Sequence, residues 1–136
     1  MIQRPGHPVR NVVDSSAWLE YMTNGPNAAV FAPAIEATDD LVVPTISITE
    51  VFRWVLRERG ESDALQLMAV MQQGLVVDLD AHLAASAAHE GLRHKLPLAD
   101  SIILATARSY NAVLWTQDVD FQGIPNVEYH PKAKPS

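Results

Sequence analysis

Val9-Arg10-Asn11-Val12-Val13-Asp14 runs directly into Ser15-Ser16-Ala17-Trp18-Leu19. A short Val-rich run, then an acid, then helical spacing reads as a strand whose carboxyl end opens into a helix. The pattern recurs along the chain. Leu41-Val42-Val43 is a second strand, ended by Pro44; Leu75-Val76-Val77-Asp78-Leu79 is a third. Ala112-Val113-Leu114-Trp115 is a fourth and Asn126-Val127-Glu128-Tyr129 a fifth. Between them helices are expected over residues 15–24, stopped by Gly25-Pro26, and over 27–37, with Pro33 inside. Others are expected over 45–59, stopped by Gly60, over 62–73, over 81–93, and over 97–109, opened by Pro97. In the 62–73 helix Leu65, Met68, Ala69 and Gln72 share one stripe. Short Val-rich strands separated by helices imply an α/β fold: one domain, a central parallel sheet of four to five strands, helices on both faces. The domain is expected over residues 9–130, between a flexible N-terminal extension, 1–8, and a flexible tail, 131–136.

Four acids stand where apolar segments begin or end: Asp14, Glu50, Asp100 and Asp118, with Asp120 two residues beyond the last. Glu50 lies in Ile46-Ser47-Ile48-Thr49-Glu50-Val51-Phe52 and Asp100 in Leu96-Pro97-Leu98-Ala99-Asp100-Ser101-Ile102-Ile103-Leu104. Carboxylates are rarely buried without a partner, and an uncompensated buried charge is very costly. In an open parallel sheet, ligands bind outside the carboxyl ends of the strands. Asp14 and Asp118 follow strands, and Asp100 in a first helical turn can point to the same edge. Several acids converging there call for a cation, and Mg²⁺, which takes a few carboxylates and keeps waters and phosphates, suits them. That chemistry is phosphodiester hydrolysis. The Ser15 and Thr116 hydroxyls flank the set and could bind a metal water or a phosphate oxygen.

Each acid also has a local explanation. Asp14 could cap the helix that follows it, and Glu50 could pair with Arg53 and Arg57 along a solvated stripe. Asp100 suits a first helical turn electrostatically, although Leu98, Ile102, Ile103 and Leu104 make that element apolar nearly all round. Asp118 and Asp120 could be turn formers.

Composition narrows the classes. A chain of 136 residues, 48% hydrophobic and 19% charged, is globular rather than disordered. With no Cys there is no disulfide and no thiolate zinc site. No apolar run reaches the ~18 residues of a membrane span, and the first eight residues carry no signal-peptide core. A cytoplasmic protein with no membrane contact is expected. Sixteen acids against ten bases, a net charge of −6, run against the basic surface usual for nucleic-acid binders. A metal cluster absorbs part of that excess, and a basic protein partner would also suit it. His89-Glu90-Gly91-Leu92-Arg93-His94 is one residue longer than a HExxH zinc motif. Positions five apart lie ~140° around a helix and cannot share a metal. All five histidines read as surface or packing residues.

Taken together, Val12-Val13-Asp14-Ser15-Ser16-Ala17, Ile48-Thr49-Glu50-Val51, the segment around Asp100 and Leu114-Trp115-Thr116-Gln117-Asp118-Val119-Asp120-Phe121 resemble the PIN-domain ribonucleases. In size and layout the chain is most similar to the VapC-type toxins of bacterial VapBC toxin–antitoxin pairs. The resemblance runs from about Asn11 to Tyr129. It implies a Mg²⁺- or Mn²⁺-dependent endoribonuclease acting on RNA, a homodimer, and inhibition by a cognate VapB-type antitoxin peptide. Asp14 and Asp100 would be the main metal ligands. Glu50 and Asp118 would complete the catalytic acids, with Ser15, Thr116 and Asp120 in support. An antitoxin Arg could enter near Asp14 and Asp100, with Arg53, Arg57, Trp18 and Tyr21 walling the groove. Alternatives are a PIN nuclease of RNA processing that is not a toxin, and a catalytically weak PIN-like binding module. A doubly wound phosphatase fits less well, because Asp14-Ser15-Ser16-Ala17-Trp18 lacks its second aspartate.

Overall fold

A computed structural model describes residues 9–134; the expected N-terminal extension, 1–8, and the last two residues of the expected tail lie outside them. Five short strands form one parallel sheet: β1 (Asn11–Val13), β2 (Leu41–Pro44), β3 (Leu75–Val77), β4 (Val113–Thr116) and β5 (Val127–Tyr129), in the order β3-β2-β1-β4-β5. The helices are α1 (Ser15–Met22), α2 (Ala28–Glu36), α3 (Thr45–Arg59), α4 (Glu61–Met71), α5 (Ala81–His94) and α6 (Leu98–Ser109). The α/β architecture expected from the alternation is therefore present, with all five strands.

Register explains how two cores form from such short strands. Val12 lies beside Val42 and Leu114, and Val13 beside Trp115. Because successive side chains in a strand alternate faces, Val12, Val42 and Leu114 pack on one side with Ile103, Leu104 and Ala107 of α6. Val13, Leu41 and Val43 pack on the other with Trp18, Phe31, Val51 and Leu67 from α1, α2, α3 and α4. Each fully buried aliphatic side chain stabilises by ~1.5–3 kcal/mol, and both faces of the sheet are covered.

The sheet winds one way from β1 to β2 and β3 and the other way to β4 and β5. Its switch point is the β1–β4 seam, where a doubly wound sheet opens a crevice at its carboxyl edge. Residues 101–107 of α6 are all buried, which agrees with an element apolar nearly all round.

Two local expectations change. The buried face of α4 is Ala64, Leu67 and Met71, while Leu65 is 54% exposed. This helix is apolar on two sides, and the side that packs with Val51 and Val55 of α3 is the one buried. The third strand stops at Val77, because Asp80 caps α5: its Oδ1 accepts from the Leu83 N–H at 2.8 Å. Gly91 sits inside α5 without ending it. A Cβ there would lie 2.5 Å from Ser101 Oγ, so this glycine lets α6 approach closely, immediately beside Asp100. Among the described residues, no helix is long and apolar enough to cross a membrane.

Candidate metal centre

Asp14 prolongs the β1–β4 seam: its N–H donates to the Trp115 carbonyl at 2.9 Å. Its backbone is extended, and its carbonyl accepts from Ala17 and Trp18 N–H groups, which starts α1. The side chain does not cap the helix. It turns inward, 2% exposed, and Oδ2 accepts from Ser16 Oγ at 2.8 Å and Thr116 Oγ1 at 2.9 Å. The helix-cap explanation of Asp14 thus fails. Burial raises its pKa most, against the two hydroxyl hydrogen bonds, and the Asp118 charge raises it further.

Thr116 is fully buried at the end of β4 and joins two acids. Besides donating to Asp14, its Oγ1 accepts from the Asp118 N–H at 2.9 Å. The Asp118 carboxylate in turn accepts from the Asp120 N–H at 2.9 Å, capping a 3-10 turn, Val119–Phe121. The turn-former explanation of Asp118 is therefore correct as far as it goes, and the same turn brings Asp120 round to the site. Glu50, on α3, accepts from Ser15 Oγ at 2.7 Å. It pairs with neither Arg53 nor Arg57; Arg57 lies on Glu58 instead, at 3.0 Å. Ser15 and Thr116 hold carboxylates, where the sequence reading gave them a metal water or a phosphate oxygen.

Asp100 stands in the first turn of α6, where all these acids reach it. Its pKa is pushed up to about 7, first by burial and then by the charges of Asp14, Asp118, Glu50 and Asp120 in that order. Asp100, Asp118 and Asp120 each place a carboxylate oxygen within 4.8 Å of the other two. Asp14 and Glu50 lie outside that tightest trio, although their charges act on Asp100. Among the described residues, the ion pairs lie on Glu58, Glu90 and Glu128 and none falls on these five carboxylates. All-oxygen donors with uncompensated charge are what a hard divalent cation such as Mg²⁺ requires.

The family model for the PIN domain matches residues 12–127, nearly the whole described chain. The chain belongs to the PIN domain family. No curated protein sequence matches it, whereas solved structures do. A toxin–antitoxin complex from Klebsiella pneumoniae is 22% identical with a TM-score of 0.75, covering 90% of this chain and 99% of that one. A VapC toxin from Mycobacterium tuberculosis that cleaves the sarcin-ricin loop is 21% identical with a TM-score of 0.71, covering 89% and 99%. A VapBC complex from nontypeable Haemophilus influenzae is 19% identical with a TM-score of 0.69, covering 90% and 98%.

This PIN domain also contains residues that the sequence reading missed. Ser16 binds Asp14, and a hydroxyl two residues after an Asp is a recognisable local signal. Asn27 is different: its Nδ2 donates to Gln117 Oε1 at 3.2 Å and to the Pro131 carbonyl at 3.0 Å, across 90 and 104 residues. No local spacing announces that pair. Trp18, read as a groove wall, is fully buried in the core of the PIN domain and cannot serve. The histidine reading agrees with the structure where residues are described. His89 is exposed, His94 lies 3.4 Å from Glu90, and the His130 ring stacks on Trp115.

Proposed function

We propose that this PIN domain is a Mg²⁺-dependent endoribonuclease, with Mn²⁺ as substitute, and the toxin of a cytoplasmic toxin–antitoxin pair that inhibits translation. The observation that carries the reading is Asp100, a half-buried carboxyl acted on by four other carboxylates, none of them in an ion pair among the described residues. Perturbed acids gathered in the crevice at a sheet's switch point are what a functional site of this fold requires. The toxin part rests on likeness in fold to toxin–antitoxin complexes.

In this reading Asp14 and Asp100 are the main metal ligands, and Glu50, Asp118 and Asp120 complete the oxygen set. A bound divalent ion supplies charge neutralisation at the phosphodiester and a more acidic water. The chain's own residues prepare the site. Thr116 and Ser16 orient the Asp14 carboxylate, Ser15 orients Glu50, and the buried α6 sets Asp100 in depth. The partner is a VapB-type antitoxin that inserts an Arg, whose planar fork can engage two carboxylate oxygens. Arg53, Arg57 and Tyr21 remain as groove walls, and the toxin assembles as a homodimer.

The test is RNA cleavage by purified protein in Mg²⁺ or Mn²⁺ against EDTA, paired with growth after expression. Cleavage that needs the ion and disappears in Asp100→Asn supports the nuclease. Arrested growth, rescued by the protein encoded in the neighbouring frame, supports the toxin. Cleavage persisting in EDTA, or at the native rate in Asp100→Asn, removes the metal-nuclease reading. Harmless expression with no partner encoded nearby removes only the toxin part.

A further inference from the structure

Beyond the acids, the chain after β5 continues beside β4 past the carboxyl edge of the sheet as a short strap. Three contacts hold it there. The His130 N–H donates to the Thr116 carbonyl at 2.9 Å. The His130 ring lies nearly parallel to Trp115, 4° apart at 6.2 Å, and edge-on to Phe31 at 6.1 Å. The Asn27 amide ties the Pro131 carbonyl to Gln117. Between this strap and the turn after β4 lies a depression of about 250 Å³, lined by Gln117, Asp118, Val119, Tyr129, Pro131 and Lys132. Asp118 belongs both to this depression and to the acidic trio with Asp100 and Asp120.

We propose that this depression is a nucleotide subsite, in which the RNA residue next to the scissile phosphate stacks its base on Tyr129 and sets its phosphate against Lys132. The proposal rests on the endoribonuclease reading and names how the substrate is held. Its volume falls below the roughly 300–1,000 Å³ of sites for drug-sized ligands, which is room for a single nucleotide unit. Val119, 62% exposed, adds apolar surface beside the partly buried Tyr129, and base stacking on an aromatic ring tolerates any base. Among the described residues, Lys132 is the one Lys or Arg lining the depression. Beside five carboxylates, such a lysine adds countercharge for a phosphate outside the reach of a bound ion. An unstacked base on an aromatic ring is also how single-stranded RNA is usually held. The anchoring by His130 and Asn27 makes the wall pre-formed, so little order is lost on binding.

The experiment uses the full chain and a fluorescein-labelled random pool of single-stranded RNA dodecamers. Affinity is read by anisotropy in Mg²⁺ at several salt concentrations, with Asp100→Asn in the background to stop cutting. Cleavage of the same pool is read without that substitution. Tyr129→Leu is expected to weaken binding at least fivefold. Lys132→Gln should weaken it and flatten the salt slope by about 0.7, one counterion on a single strand. Lys134→Gln, two residues along and outside the depression, should change neither. Lys132 is exposed, so that variant decides the matter even if Tyr129→Leu lowers the melting temperature. If the native chain cuts RNA while both variants keep native affinity and slope, the subsite is wrong and the nuclease stands. A native chain that cuts no RNA in either ion defeats both. Variants that weaken only the complex with the co-expressed partner protein overturn the subsite in favour of a peptide pocket.

Discussion

Thr116 Oγ1 donates to Asp14 Oδ2 at 2.9 Å, linking the ends of two neighbouring strands across 102 residues. The same oxygen receives the Asp118 N–H. One buried hydroxyl therefore orients a carboxylate just past β1 and fixes the turn that carries Asp118 and Asp120.

Thr116→Val keeps the shape but removes the donor to Asp14 and the acceptor of the Asp118 N–H. A buried group left unsatisfied costs ~1–3 kcal/mol. Thermal unfolding should show a loss on that scale, and half-saturation by Mn²⁺ should move to higher concentration. An unchanged melting temperature and Mn²⁺ response would show that the hydroxyl orients nothing.

Stability without metal should fall as pH rises from about 4 to about 7. Asp100 has its pKa raised from 3.8 to about 7 in the folded chain, so in that window the native state holds more protons than the unfolded one. Stability then decreases with pH, and the penalty is complete above the folded value. The buried Asp14, shifted in the same direction, adds to the trend. Melting curves at pH 5 and pH 8 in EDTA test it. Millimolar Mg²⁺ or Mn²⁺ should restore the lost stability at pH 8, because the ion binds the native cluster and hardly the unfolded chain. A higher melting temperature at pH 8 than at pH 5 without metal contradicts this.

Asp100→Asn removes the charge on which the other four act. At pH 8 in EDTA the variant should melt a few degrees above the native chain, and the rise on adding Mn²⁺ should shrink. Cleavage should drop by roughly 10²-fold or more, the scale for losing one preorganised electrostatic group. Greater stability together with lost function separates a site residue from a structural one.

Gly91→Val places side-chain atoms where Ser101 lies and must push the start of α6 away from α5. Overpacking of this kind costs ~1–3 kcal/mol. Since Asp100 directly precedes Ser101, metal affinity should fall as well, although residue 91 carries no ligand. Titration with Mn²⁺ monitored by melting temperature measures both effects. Native stability in Gly91→Val would mean that the helices separate without cost.

The alternation of Val-rich runs with helical spacing was enough to read all five strands and all six helices, because period and punctuation are local properties of the chain. The acids could also be read, since a charge inside an apolar segment is conspicuous wherever it folds. Local signals misled where a helix had two apolar sides. In α4, Leu65 and Leu67 are equally hydrophobic, and only the packing of α3 against α4 selects Leu67.

By itself, the sequence determined the strands, the helices and the five acids Asp14, Glu50, Asp100, Asp118 and Asp120. The tertiary structure decided which groups meet. Ser15 was free to point at solvent and instead holds Glu50; Trp18 went to the core and not to a groove. Asn27, Gln117 and Pro131 join only because α2, the end of β4 and the strap after β5 reach the same edge of the sheet. Sheet order brings those distant segments together, and hydrogen bonds act over about 3 Å. No pattern along the chain can encode so short a distance between residues 90 or more positions apart.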